Sequence, residues 1–147
     1  MRRFPQAIFA AVTLTLGGPG AASESDEDAI AYRQHIMHSL QEQTAALGKI
    51  MSGAVPDDNA VAHMQALALI ASTALKSFEP KVPGGDSKPE VWGDWADFSK
   101  RMEEFARLTA KMSQAAQEGG KDAGLSHAIE ALNCKSCHDV YRKPRPR

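Results

Sequence analysis

A five-residue run near the end of the chain, Cys134-Lys135-Ser136-Cys137-His138, constrains the fold more than any other feature. Positions three apart lie on one face of a helix, so a helix can present both thiols together and aim the adjacent imidazole. A Cys-x-x-Cys-His run is the attachment sequence of c-type haem, in which the thiols form thioethers and the histidine is an axial ligand of iron. The run therefore predicts one covalently bound haem c.

Two cysteines at this spacing also occur in three other kinds of site. A structural zinc site usually has four Cys or His ligands, and Cys134 and Cys137 are the chain's only cysteines. A thioredoxin-type redox motif follows a strand in a βαβ pattern, and nothing strand-like precedes Cys134. A disulfide across two intervening residues is the third interpretation. Haem attachment is favoured over all three.

Length and composition indicate a single globular domain. The chain has 147 residues, of which 43% are hydrophobic and 24% charged, which is ordinary for a folded protein and excludes general disorder. The formal net charge is −1 and basic residues cluster only in the last six positions. Nucleic-acid binding is therefore not expected.

The N-terminus has the pattern of an export signal. Arg2-Arg3 precede an apolar run from Ala7 to Leu16, and Gly20-Ala21-Ala22-Ser23 provides small residues for cleavage. An uncleaved anchor is the alternative, but the apolar run is shorter than a bilayer span. We predict a cleaved signal peptide over residues 1–23, a mature domain over 24–147 without a membrane span, and a periplasmic location.

The rest of the sequence repeats apolar residues at helical spacing. A first helix is predicted from Ser25-Asp26 to about Met51, a second around Met64, and a third from Glu90 to Gly119-Gly120. The capping box Ser87-Lys88-Pro89-Glu90 is expected to start the third helix. These elements predict an all-α fold.

A fourth helix is expected from about Asp122 through the haem motif, ending before Pro144. Leu125, Ile129 and Leu132 would form its apolar side. Because short connections make consecutive helices neighbours, we predict an antiparallel four-helix bundle with haem c between facing helices.

Three stretches resemble the class II c-type cytochromes, meaning cytochrome c′ and its low-spin c-556 relatives. They are the Tyr32-Arg33-Gln34 region of the first helix, the segment from Gly84 to Trp95, and the segment from Cys134 to Lys143 near the C-terminus. The resemblance covers roughly residues 26–143. It implies a periplasmic four-helix bundle, often a homodimer, with haem c held by Cys134 and Cys137.

The resemblance also implies roles beside the iron. His138 matches the proximal ligand, and Arg142 matches the basic residue that the family places near the proximal histidine and haem. A cation there would raise the reduction potential by disfavouring the oxidised centre. The alternative for Arg142 is a solvated residue in a basic tail.

Met37 falls where the family places the residue facing the open side of the iron. In many cytochromes c′ that residue does not bind the metal, and in c-556 types a methionine there is the sixth ligand. Thioether sulfur can bind haem iron, so ligation by Met37 is the favoured interpretation. The alternative is a methionine that only fills space.

Other histidines and aromatic residues are weaker candidates for the site. His35 and His38 lie at other angles around the first helix than Met37, although a bis-histidine site remains an alternative. His63 and His127 are expected at the surface. Trp92, Trp95 and Phe98 can line the haem but at helical spacing are more often ordinary core.

The sequence therefore predicts a periplasmic single-haem electron carrier with His138 and Met37 as axial ligands and a redox partner protein. The alternative is a five-coordinate cytochrome c′ that binds NO or CO. An enzyme is not expected, since no positioned acid–base residue is evident.

Overall fold

A computed structural model describes residues 25–144 of the chain. The predicted signal peptide, residues 1–23, lies outside the described residues. The described part contains six α-helices and one 3-10 turn, and consists of α1 (Asp26–Met51), α2 (Ala60–Ala74), the 3-10 turn (Leu75–Phe78), α3 (Glu90–Gly93), α4 (Trp95–Leu125), α5 (Ala128–Ala131) and α6 (Cys134–Tyr141). No helix in these residues is long and apolar enough to cross a bilayer.

Helix α1 begins and ends close to the predicted positions. The Ser25 hydroxyl accepts a hydrogen bond from the Asp28 backbone N–H at 3.1 Å, which satisfies one of the free donors of the first turn. Gly53, with φ 71°, ends the helix in the left-handed region that favours glycine. Met51, the last residue of the helix, is 56% exposed, whereas Ile50 is buried.

Helix α2 supplies the centre of the core. Met64 and Leu67 are fully buried, and α2 packs against both α1 and α4. By contrast, within residues 25–144 no Cα atom of α1 lies within 8 Å of a Cα atom of α4, α5 or α6. The backbone of α1 therefore packs against α2 and the 3-10 turn.

The third predicted helix is interrupted near its start. The capping box at Ser87 does not form, since α3 begins at Glu90 with no side-chain cap. Asp94 leaves helical geometry and its carboxylate then caps α4, accepting from the Asp97 backbone N–H at 3.3 Å. The Trp92 indole N–H donates to the Phe78 carbonyl at 3.0 Å and fixes α3 against the 3-10 turn.

The predicted fourth helix is broken into short pieces. Gly120, at φ 79° and ψ −175°, interrupts α4 where the glycine pair predicted an end. Leu132 and Asn133 depart from helical geometry between α5 and α6. A turn at Ser126 and His127 separates α4 from α5, and Ile129, predicted to face the core from a continuous helix, is 92% exposed. The four-helix bundle is thus formed by α1, α2, α4 and the segment containing α5 and α6.

Candidate haem site

A cavity of about 870 Å³ opens between α1, α4 and α6. Its volume lies within the range of about 300–1,000 Å³ typical of cofactor sites. Apolar side chains of α1, α3 and α4 line much of it, among them Leu40, Val91, Phe98, Met102 and Phe105. A smaller cavity of about 490 Å³ lies where α1 connects to α2, and none of the predicted site residues lines it.

The three residues of the Cys-x-x-Cys-His motif line the larger cavity. Helix α6 begins at Cys134, which is exposed, and brings Cys137 and His138 to the same wall, where both are half-buried. Both cysteines are free thiols, so the disulfide interpretation is not supported. Two thiols and an imidazole on one wall of a large apolar cavity are the arrangement that a covalent haem needs.

Met37 lines the same cavity from α1 and is half-buried. The cavity therefore has a wall on α6 that carries His138 and a wall on α1 that carries Met37. His38, the next residue, also lines the cavity and is exposed. The sequence predicts that His38 lies outside the site because it projects from α1 at another angle than Met37. The cavity is wide enough for both neighbouring positions of α1 to line it.

A buried cation, Arg33, was not predicted as a site residue. It is 3% exposed, lines the cavity, and donates from Nη2 to the Val82 carbonyl at 2.8 Å. Its guanidinium lies 5.1 Å from the Trp92 ring centroid and 5.6 Å from that of Phe78. Arg33 precedes Met37 by four residues, and this spacing could have placed it on the same face of α1.

Arg33 also fits the charge of the expected cofactor. A buried cation is stabilised by a nearby anion, and haem carries carboxylates. Together with the cavity volume, the apolar lining and the three motif residues, Arg33 makes this site chemically suitable for haem c.

A polar cluster of Asp97, Arg101 and Tyr141 stands at one corner of the cavity. The Tyr141 hydroxyl donates to Asp97 Oδ2 at 2.5 Å, and Arg101 Nε donates to the same oxygen at 2.5 Å. These hydrogen bonds, first that of Tyr141 and then that of Arg101, lower the pKa of Asp97. Burial and then the Asp97 hydrogen bond raise the pKa of Tyr141 to about 12. The cluster joins α4 to α6.

The loop before α3 holds the end of α6. The Lys88 backbone N–H donates to the Tyr141 carbonyl at 3.0 Å, and the Lys143 N–H donates to the Asp86 carbonyl at 2.8 Å. Lys88 Nζ donates to the carbonyls of Asp139 and Val140 at 3.1 and 3.0 Å. A lysine at the carboxyl end of a helix satisfies free carbonyls and complements the helix dipole.

The structure places Arg142 on the cavity wall, but not by continuing the helix. Helix α6 ends at Tyr141, and Arg142 is extended at φ −110° and ψ 140°. Arg142 therefore reaches the cavity from an extended segment, and its backbone N–H donates to the His138 carbonyl at 3.1 Å.

The remaining candidates divide between the cavity and the rest of the fold. Phe98 lines the cavity, whereas the other two aromatic candidates, Trp92 and Trp95, pack against the core outside it. Neither His35 nor His127 lines the cavity. His63 is half-buried, and its Nδ1 lies 2.7 Å from Gln43 Oε1, so it links α2 to α1.

A family model described as Cytochrome C′ matches residues 28–142. A cytochrome c′ from Alcaligenes xylosoxydans is 31% identical over 122 residues, which cover 81% of this chain and 96% of the relative. A cytochrome c′ from Rhodopseudomonas palustris is 33% identical, over 88% of this chain and 90% of the relative.

Solved structures of cytochrome c prime from Alcaligenes xylosoxidans are similar throughout the described fold. A ferrous variant with bound NO gives a TM-score of 0.75 at 29% identity, covering 84% of this chain and 100% of that chain. A variant with bound carbon monoxide gives 0.73 at 31% identity, covering 82% of this chain and 98% of that chain.

These comparisons correct the functional interpretation drawn from the sequence. The low-spin electron carrier with His138 and Met37 as axial pair is wrong, and the c-556 assignment is not supported, because the similar proteins are cytochromes c′ solved with NO and CO. A methionine on the sixth position would compete with such ligands. The physical reason for the error is that a half-buried methionine serves equally well as packing and as ligand, and sequence does not distinguish the two.

Proposed function

The chain belongs to the cytochrome c′ family, and we propose on that premise that it is a gas-binding haem protein for NO or CO, with iron open on the side of α1. Its cofactor is one covalently bound haem c. When bound, this group supplies a metal centre with one coordination position available to a small diatomic ligand.

Each residue of the motif has a defined part in holding the cofactor. Cys134 and Cys137 would hold it through thioethers, each formed by addition of a thiol across one vinyl group, so that the thiol hydrogen passes to carbon and nothing leaves. The His138 imidazole would occupy the proximal position. The cation of Arg33 would compensate the cofactor's carboxylates.

One observation carries the proposal: Met37 of α1 and His138 of α6 line the same cavity of about 870 Å³. Met37 would stand beside the open position and limit the space available to a ligand there, without occupying the metal. Much of the lining is apolar, which favours small uncharged ligands over hydrated anions. The gas-bound relatives support the same assignment.

We propose binding rather than catalysis. A general acid or base is normally oriented by a second group. His38 is exposed, and within residues 25–144 its ring has no hydrogen-bond partner. A peroxide- or NO-dependent turnover that disappears in His38→Ala would contradict this part of the proposal.

The deciding experiment is absorption and electron paramagnetic resonance spectroscopy of the holoprotein with NO and CO. We expect high-spin ferric iron, spectral changes on adding either gas to the ferrous protein, and unchanged spin state in Met37→Ala. Met51→Ala is the matched control, since Met51 lies on the same helix but is 56% exposed. Low-spin iron with a thioether charge-transfer band that Met37→Ala removes would overturn the proposal.

We further propose export to the periplasm. The positive residues, apolar run and small-residue site within residues 1–23 support it. N-terminal sequencing of the purified mature protein would test it, with cleavage near Ala22 or Ser23 as the expected result. A mature chain that retains Arg2 and Arg3 would contradict it.

A further inference from the structure

We infer that Asp97 of α4 is a positioning residue for His138, acting through the side chain of Tyr141. This inference rests on the proposed function in one respect, since it takes His138 as the proximal ligand. It assigns the orientation of that imidazole to a hydrogen bond between two helices rather than to the motif alone.

The first observation is the geometry of the Asp97 carboxylate. One oxygen, Oδ2, receives both the Tyr141 hydroxyl and Arg101 Nε at 2.5 Å. The backbone N–H of Asp97 is itself bonded to Asp94 Oδ1 at 3.3 Å, in the first turn of α4. The acceptor therefore sits on a capped helix end and is held from two sides. Hydrogen bonds to an ionised acceptor are about twice as strong as neutral ones.

The second observation is that the Tyr141 ring has little freedom. Tyr141 is 5% exposed, and its ring meets that of Phe98 edge-on with centroids 5.1 Å apart. Phe98 in turn meets Phe78 at 4.9 Å. Packing against Phe98 restrains the plane of the Tyr141 ring, and the hydrogen bond to Asp97 restrains the position of its hydroxyl against α4.

The third observation is that α6 needs such a restraint. It has eight residues, fewer than an isolated helix needs to be stable, so contacts with the bundle determine its pose. The backbone bond from Lys88 to Tyr141 and the Lys88 Nζ bonds lie at its carboxyl end. They anchor the backbone at that end, and a side-chain bond farther from the helix axis adds a restraint on rotation.

Tyr141 opposes that rotation. It follows His138 by three residues, so the two side chains project about 60° apart around the helix. A rotation of α6 that turned the imidazole away from the cavity would also carry the Tyr141 hydroxyl away from Asp97. The Tyr141–Asp97 bond therefore couples the pose of His138 to α4.

Tyr141→Phe in the holoprotein tests the inference, since it removes only the hydroxyl and changes no charge. The readout is the proton NMR spectrum of the ferric, gas-free holoprotein, in which unpaired spin displaces the resonances of the His138 ring and the porphyrin methyls. Relative to the wild type, we expect these resonances to shift or to split into two sets. We also expect the NO dissociation rate to change about tenfold, since loss of a residue that orients a metal ligand typically changes affinity or activity by about 10–100-fold.

The carboxylate partner is tested in the same way. We expect Asp97→Ala to disturb the same resonances, and Tyr141→Phe to cause no further change in that background. Asp97→Asn keeps an acceptor oxygen and should return the spectrum towards that of the wild type. The matched control is Asp57→Asn, which removes a carboxylate that also pairs with a basic residue of α4, Lys121, but does not line the cavity.

Unchanged resonances in Tyr141→Phe would overturn the inference, as would a full additional effect of Tyr141→Phe in the Asp97→Ala background. If Asp97→Ala yields no folded holoprotein, the comparison of Tyr141→Phe with the wild type still decides. The NMR readout needs no gas, so failure to bind NO or CO would overturn the proposed function while leaving this test intact.

Discussion

Gly124 of α4 packs so closely against Met64 of α2 that a methyl group on Gly124 would lie 2.4 Å from Met64 Sδ. It would also lie 2.6 Å from Ala116 Cβ and 3.2 Å from the Ala116 Cα. The methionine can move, but the backbone of Ala116 cannot. We therefore expect Gly124→Ala to lower the free energy of unfolding by about 1–2 kcal/mol through overpacking, as measured by urea unfolding.

The matched control is Gly48→Ala in α1, where nothing lies within 4 Å of the added methyl group. The higher helix propensity of alanine should raise the free energy of unfolding there by about 0.5–1 kcal/mol. Equal effects of the two substitutions would show that the contact between α2 and α4 is looser than the structure indicates.

The covalent link depends on both thiols of the motif. We expect Cys134→Ser together with Cys137→Ser to abolish haem staining in denaturing gels, because a hydroxyl does not form the thioether. The mass of the denatured chain should fall by that of one haem. Ser136→Ala is the control. The exposed Ser136 hydroxyl only donates a hydrogen bond to the Asn133 carbonyl, so haem staining should persist in this variant. Retention of haem by the double variant would refute the assignment.

Arg33 stabilises the fold from inside the cavity wall. In Arg33→Met the Val82 carbonyl loses its donor and two aromatic rings lose a cation, so unfolding in urea should become easier by about 1–3 kcal/mol. Arg107→Met, on the exposed face of α4, removes a surface ion pair with Glu104 and should change stability by less than about 1 kcal/mol. Comparable losses in the two variants would contradict the buried role of Arg33.

Tyr141 should make stability fall at high pH. Its pKa is raised from 10.0 to about 12 in the folded chain, chiefly by burial, so the folded state holds the phenolic proton more tightly than the unfolded state. This contribution is complete below pH 10 and is lost as pH rises from about 10 through about 12. In urea unfolding across that pH range, the free energy of unfolding should fall less steeply in Tyr141→Phe than in the wild type. The difference in phenolate absorbance between the two folded proteins should titrate near 12. If the free energy of unfolding depended on alkaline pH identically in the wild type and in Tyr141→Phe, the predicted contribution of Tyr141 would be wrong.

Much of the architecture could be predicted because it is encoded locally. Ser25 caps α1 through its own hydroxyl, and Gly120 breaks α4 through its own backbone geometry. Ile129 could not be placed correctly, since helical periodicity was carried from α4 into α5 across the turn at Ser126 and His127. The register of a short helix is set by what it packs against.

The residues of the site likewise divide into those that local spacing predicts and those that depend on how the helices pack. Cys134, Cys137 and His138 were found because one helix carries them at fixed spacing. The pairing of Asp97 with Tyr141 joins residues 44 positions apart, and that of Arg33 with Val82 joins residues 49 apart. Such pairs depend on how helices dock, so a single sequence contains no periodic signal for them. Whether Met37 ligates iron depends equally on docking, which is why the sequence led to the wrong functional class.

Within residues 25–144, no Cα atom of α1 lies within 8 Å of a Cα atom of α4, α5 or α6, because the cavity separates these helices. An outward tilt of α1 would widen the cavity, but only by loosening its contacts with α2 and the 3-10 turn and the hydrogen bond from Arg33 to Val82. Such a tilt would be a local opening, which costs less free energy than unfolding of the whole chain. The rate at which a ligand enters would then report the stiffness of the seam between α1 and α2, a property of residues that never meet the ligand.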